Sequence, residues 1–282
     1  MKRNLVIITS FGLISVFLAL IGCENDRNSD VICKNNPEIC ADLHQDSWCR
    51  FEKGDLIRHR YQLKQTADPS GKQLYQQLIY LETYSKCVEL ASGVQHILNP
   101  DRTKDRKRAY AVSTQTLSEL QQHTKDNPDV YLAFYRWIRF NDKDSQNLVI
   151  EKYNAGEVES VEILSQLAAS FVRQSPQKAI QVYKQLFDIT PFEQFDPDWL
   201  LGLAKIYQHQ QDLENVYIFT RANTLLAEHQ VNEEQILALI NNDTMLAQNL
   251  DLKAEALIDD IQTGNFANSS SAELLSDNKP DE

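Results

Sequence analysis

Four cysteines, Cys33, Cys40, Cys49 and Cys87, carry the most specific chemistry in this sequence. Zinc would need clustered thiolates or imidazoles, but there is no CxxC, and the gaps of seven and nine residues fit no common zinc pattern. An even set reads as disulfides in a chain that leaves the reducing cytosol. Paired in this way, they are poor nucleophiles. The six histidines, His44, His59, His96, His123, His209 and His229, form no HExxH and no tight cluster with acids. His44, between Asp42 and Asp46, comes nearest to a ligand group and reads as part of a solvated loop. Glu193, Asp196 and Asp198 lie close together in sequence. Glycoside cleavage needs two carboxylates ~5–9.5 Å apart across a cleft, which spacing alone does not provide. Asp196-Pro197 fits a helix N-cap followed by proline in the first turn. With eight glycines and no GxGxxG, GxxxxGK[ST] or GxSxG, phosphate-cradling loops and a nucleophile elbow are absent. The expectation is a chain with no catalytic residue, no metal and no cofactor.

The N-terminus supplies the exported context. It starts basic at Lys2 and Arg3, turns apolar from Leu5 to Ile21, and reaches the small Gly22. That order describes a secretory signal. A plain membrane span competes with this reading. The apolar run, however, lies at the short limit of the ~17–25 residues a spanning helix needs. Glu24, Asn25 and Asp26 also follow where a basic flank would stand. Leu20-Ile21-Gly22-Cys23 resembles the lipobox of bacterial lipoproteins. The resemblance implies that Cys23 is acylated and becomes the new N-terminus, so the expected location is the cell envelope, lipid-anchored. Glu24, in place of an aspartate, points in enteric-type sorting to the outer membrane, facing the periplasm.

Removing residues 1–22 moves the formal charge from −12 to −14, since Lys2 and Arg3 leave and no acid does. So acidic a chain is repelled by nucleic acid and by anionic lipid surfaces, and no nucleic-acid partner is expected. The mature length can bury one large core or two small ones.

The elements that must position these residues read as helix after helix, with no alternating strand. Residues 23–31 are expected to be a lipidated tether, and 32–100 a disulfide-stapled helical hairpin. Asp68-Pro69-Ser70-Gly71 is a strong turn between two helices, the second ending near Gly93. Gly54 is a possible break in the first. Cys49 lies 19 residues before Asp68 and Cys87 lies 19 after it. Equal path lengths from an antiparallel turn place the two at one level, so the expected bridges are Cys49–Cys87 and Cys33–Cys40. Trp48 is expected to pack on the first. Residues 103–124 read as a helix whose basic start, Lys104, Arg106, Lys107 and Arg108, is expected to be a solvated face. The aromatics of 130–140 are expected to be core. Residues 264–282 read as a disordered tail.

Between Val158 and Ala227 a pattern repeats after 36 residues. Leu167-Ala168 and Phe171 lead to Ala179-Ile180, Tyr183, Leu186 and Pro191; Leu203-Ala204 and Tyr207 lead to Val216 and Phe219. This order resembles the tetratricopeptide repeat, in which small residues let paired helices approach and aromatics fill the space beside them. Two departures are Val216 and Asn223, where the family prefers small residues. A third is a one-residue shortening at Gln174-Ser175-Pro176. The expected fold is all-α, with residues 101–263 forming a right-handed tetratricopeptide-like helical-repeat array. The resemblance implies that ligand-facing positions lie on the first helix of each unit. Carried over, these are Glu162, Ser165, Ala169, Val172 and Arg173, then Asp198, Leu201, Lys205, Gln208 and His209. Arg173, Lys205 and His209 could together hold a carboxylate.

The cysteine-dense start from Cys33 to Cys40, continued by Trp48-Cys49-Arg50-Phe51-Glu52, resembles an uncharacterised gammaproteobacterial lipoprotein family with a helical-repeat body. That family brings no known activity. The expected function is an envelope adaptor, tied to the membrane by its lipid, that binds an unknown envelope protein or peptide in the repeat groove. The alternative is a protein that binds or cleaves cell-wall glycan with acidic residues in a cleft.

Overall fold

A computed structural model describes residues 28–227 and 233–276, and every regular element among them is helical. The signal segment and Cys23 lie outside the described residues. The chain forms two compact units, Met1–Leu132 and Ala133–Glu282.

In unit 1, α1 (Ser29–Asn35) is followed by a 3-10 turn at Pro37–Ile39, then α2 (Arg50–Lys64), α3 (Gly71–Ser92) and α4 (Pro100–His123). The Asn28 side chain accepts the Asp30 and Val31 N–H groups, so the last part of the expected tether is already helix. Gly54 does not interrupt α2. Ser70 caps α3 reciprocally with Gln73, a sharp start for the second arm. Gly71 is required there, because a side chain would occupy the space of the Asp129 carboxylate. The arms α2 and α3 pack together, and both expected bridges form: Cys33–Cys40 with Cα atoms 5.7 Å apart and Cys49–Cys87 at 5.9 Å. Ile32, Leu43, Leu56, Leu81, Tyr84 and Val88 make the core.

Two expectations for this half are corrected. First, α4 belongs to unit 1 and not to a repeat array starting at 101, since it packs along α3. Second, its basic start is only partly solvated. Arg106 is 4% exposed and pairs with Asp46 at 2.7 Å, while its Nη1 donates to the Ala91 carbonyl. Arg108 donates to the Leu43 carbonyl, and Asp105 accepts the Gln45 N–H. These groups fasten α4 to the stretch that precedes α2. In sequence alone, where that stretch has no position, a dense basic run is indistinguishable from a wet helix face.

In unit 2, α5 (Val130–Phe140), which begins at the end of unit 1, leads to α6 (Lys143–Asn154), α7 (Val161–Gln174), α8 (Pro176–Ile189), α9 (Asp198–His209), α10 (Leu213–Ala227), α11 (Glu233–Ala238) and α12 (Thr244–Gln262). As expected, Phe134, Tyr135 and Trp137 are buried, although Phe140 is 56% exposed. Helices α7 and α8 share Ser175 as their common cap, which is the structural form of the shortened turn. α7 packs on α8 and α9, α9 packs on α10, and α10 packs on α12. Ala168 and Ala179 are fully buried, and Gly202 of α9 lies against the Tyr183 ring of α8. The larger Asn223 is accommodated because its amide donates to the Pro197 carbonyl at 2.8 Å.

The described part of the expected disordered tail is ordered, while residues 277–282 lie outside the described residues. Phe266–Asn268 and Ser270–Leu275 form 3-10 turns against α8 and α12. Phe266 is buried edge-on against Phe187, and Tyr207 donates to the Leu274 carbonyl. One buried aromatic and a backbone acceptor are enough to fix a polar, aperiodic segment.

Candidate functional site

The groove candidates sit on α7 and α9. Alternation of large and small residues fixes the buried faces of these helices, with Leu167, Ala168 and Phe171 on one and Leu203, Ala204 and Tyr207 on the other. The opposite faces are left open. Arg173, Asp198 and Lys205 come together around a depression of about 340 Å³, whose apolar wall includes Ala169, Val172 and Gly202. Tyr183 closes its floor. Burial, with a smaller effect of Asp196, pushes that phenol up to about 12, so it is a neutral hydrogen-bonding group at every physiological pH. Lys205 also borders a second depression of about 510 Å³ with Leu201, Gln208 and Val216. Arg173 and Lys205 are exposed, and neither has an ion-pair partner among the described residues.

Other candidates lie elsewhere. His209 is exposed and lines neither depression. Ser165 accepts a hydrogen bond from the Trp199 indole at 2.9 Å, so it fastens α7 to α9. The sequence missed Gln235, Ile236 and Leu239, which supply the far wall of the second depression from α11 and just beyond it. Their only signal was Ile236 and Leu239 at helical spacing in a short, acidic segment.

The remaining chemistry is structural. His44 is 2% exposed rather than solvated. Its Nε2 lies 2.7 Å from the Trp48 carbonyl, which can only accept, so Nε2 carries the proton. Nδ1 then accepts from the Tyr84 hydroxyl at 2.9 Å, and that hydroxyl accepts the His44 backbone N–H. Burial holds the His44 pKa below the usual histidine value, and burial pushes Tyr84 up to about 12. For Asp46, burial works against ionisation, but the Trp48 N–H and Arg106 outweigh it and its pKa is lowered. Trp48 lies under the Arg106 guanidinium at 4.8 Å and borders the same depression as Cys49 and Cys87. Among the described residues, Cys49, Glu52 and Cys87 bring ligand-type atoms together, but the two sulfurs are bonded to each other. Asp196 caps α9 by accepting the Asp198 N–H at 3.0 Å. Glu193, Asp196 and Asp198 are exposed.

The model of a family described as a protein of unknown function, DUF2989, matches residues 20–221. The chain belongs to that family. The match takes in Cys23, both disulfides and α1 through α9, and it ends within α10. No curated protein matches the chain, and no solved structure does.

Proposed function

We propose that this chain is a lipid-anchored envelope adaptor that binds an acidic peptide or protein segment along the α7/α9 face of a tetratricopeptide-like array. The observation that carries the reading is the pair Arg173 and Lys205. On a chain of formal charge −12, two exposed cations without ion-pair partners among the described residues border one depression. Apolar Ala169, Val172 and Leu201 stand beside them. Cations beside an apolar wall suit a carboxylate-bearing segment that also buries an aliphatic side chain. The packing of α7 with α8 and of α9 with α10, with α7 also on α9, supports the repeat-like reading. The lipid anchor rests on Leu20-Ile21-Gly22-Cys23, which falls inside the family match. Glu24 favours the outer membrane. The glycan alternative draws no support from Glu193, Asp196 and Asp198, which are exposed and partly used in capping.

The test is Arg173→Glu with Lys205→Glu in the full chain. Crosslinked envelopes should yield a partner from the wild type, and at least tenfold less of it from the doubly reversed protein, with an unchanged circular dichroism spectrum. Equal recovery would overturn the groove. Palmitate incorporation that persists in Cys23→Ser would overturn the anchor.

A further inference from the structure

The exposed apolar side chains of unit 1 are segregated. Trp48, Phe51, Leu90, Val94, Ile97 and Leu98 are the large apolar residues exposed among its described residues, and all six lie at one end. Ile97 is 91% and Leu98 is 93% exposed. That end is where α2 starts, α3 finishes and α4 starts, clasped by Cys49–Cys87 and by Arg106 on Ala91. The loop carrying Ile97 and Leu98 is not loose. His96 accepts the Asn99 N–H through Nδ1, the His96 N–H is held by the Thr103 hydroxyl, and that hydroxyl donates to the Val94 carbonyl. The two apolar side chains are therefore held outward by a hydrogen-bonded frame.

α1 packs along α2 and runs in the same direction, so the start of the described chain points toward this end. The other end of α1 lies by the other end of α2, where Lys64 reaches Asn36 and Glu38. Four residues lie between Cys23 and Asn28, and the five steps from one to the other span at most about 18 Å whatever their conformation. Arg102, Lys104 and Lys107 stand exposed in the first turns of α4, with Asp101 paired to Lys104 at 3.1 Å, and Arg50 lies over the Phe51 ring at 4.5 Å. Apolar tips rimmed by aromatics and cations suit the boundary between headgroups and acyl chains.

We propose that the α3–α4 loop, through Val94, Ile97 and Leu98, is a second membrane contact that docks unit 1 end-on onto the bilayer. The occupant of this surface is lipid. The inference rests on the proposed anchor at Cys23 for the proximity of a membrane, and the experiment separates the two. An environment-sensitive fluorescent amino acid replaces Leu98 in the full chain, reconstituted in vesicles of phosphatidylethanolamine and phosphatidylglycerol with brominated acyl chains. Mass spectrometry of the N-terminal peptide reads acylation of Cys23 in the same sample. Quenching of at least twofold is expected at Leu98, and none at Gln65 in the turn at the far end. Ile97→Asp with Leu98→Asp, both at exposed positions, should abolish quenching of a probe at Val94 with the circular dichroism spectrum unchanged. An acylated protein with an unquenched Leu98 probe overturns the docking and leaves the anchor. A quenched probe on an unacylated protein overturns the anchor and leaves the docking. Failure of both readouts overturns both. A photocrosslinker at Ile97 that captures a protein or a second copy in place of lipid overturns the bilayer as occupant.

Discussion

In unit 1 the stretch 36–49 contains no long helix, yet it fastens α2, α3 and α4 through side chains far apart in sequence. Arg60 grips Asp42 with two bonds of 2.7 and 2.8 Å, Arg106 holds Asp46, and His44 joins Tyr84. Two disulfides lock the arrangement. Unit 2 has no disulfide among its described residues, and its helices meet mainly through Leu, Ala and aromatic side chains, with polar ties such as Trp199 to Ser165 and Tyr217 to Asp251 added to them. Its rings form a run from Trp199 through Phe195 and Phe187 to Phe266. Unit 1 adds a few high-stakes polar and covalent ties to its apolar core, whereas unit 2 leans more on many interchangeable apolar contacts. The first kind fails abruptly when one partner is removed, whereas the second degrades by increments.

Opening the Cys49–Cys87 bridge is the strongest way to break this contrast. It closes a loop spanning 38 residues and contributes about 4 kcal/mol in the loop-entropy model. Hydrogen exchange of Cys49→Ala with Cys87→Ala should show deprotection in α2 and α3 and unchanged amides in α7 to α10. Uniform loss across both units would contradict the separation. Next, Arg106→Ala strands the Asp46 carboxylate and should cost about 3 kcal/mol, measured by urea unfolding. Arg106→Met, also leaving Asp46 unpaired, should be no better, while a double change with Asp46→Leu should recover most of the loss.

A smaller effect probes unit 2. Gly202→Ala places a methyl group where the Tyr183 ring stands, and overpacking of this kind should cost about 2 kcal/mol. Tyr183→Leu in the same chain should relieve part of it. Acid offers the mildest discrimination. Burial lowers the pKa of both His44 and His59 from the usual 6.5. The unfolded chain then binds more protons just below that value. Stability is complete above about pH 6.5 and falls as pH drops toward the lower folded values, by at most about 1.4 kcal/mol per pH unit for each histidine. Melting of unit 1 should follow this slope, and the slope should shrink in His44→Gln. A melting point for unit 1 that is flat between pH 7 and pH 5 would contradict the assignment.

The same contrast explains what was legible in the sequence. Helices followed from apolar spacing, and the bridge pairing followed from equal path lengths on either side of Asp68-Pro69-Ser70-Gly71. Arg173, Asp198 and Lys205, singled out from their places on two helices, border one depression. Polar ties have no period. Nothing local distinguishes a buried Arg106 from exposed Lys107 beside it, or marks His44 as the partner of a tyrosine 40 residues away. Phe266 failed to announce itself for a related reason, since a single aromatic in a polar segment has no repeat to reveal its socket. His209 lies on α9 with Asp198 and Lys205 but borders neither depression.

The two bridges also change how the chain bears load. A pull applied at Asn28 and at Leu132 would travel from Cys33 straight to Cys40 and from Cys49 straight to Cys87. The spans of 7 and 38 residues stay out of the loaded path. At about 3.4 Å per extended residue, roughly 150 Å of contour cannot be released while the sulfurs remain joined. Under tension unit 1 acts as a short shackle between the N-terminal segment and the chain beyond Leu132, and a reductant would convert that shackle into a long, compliant leash.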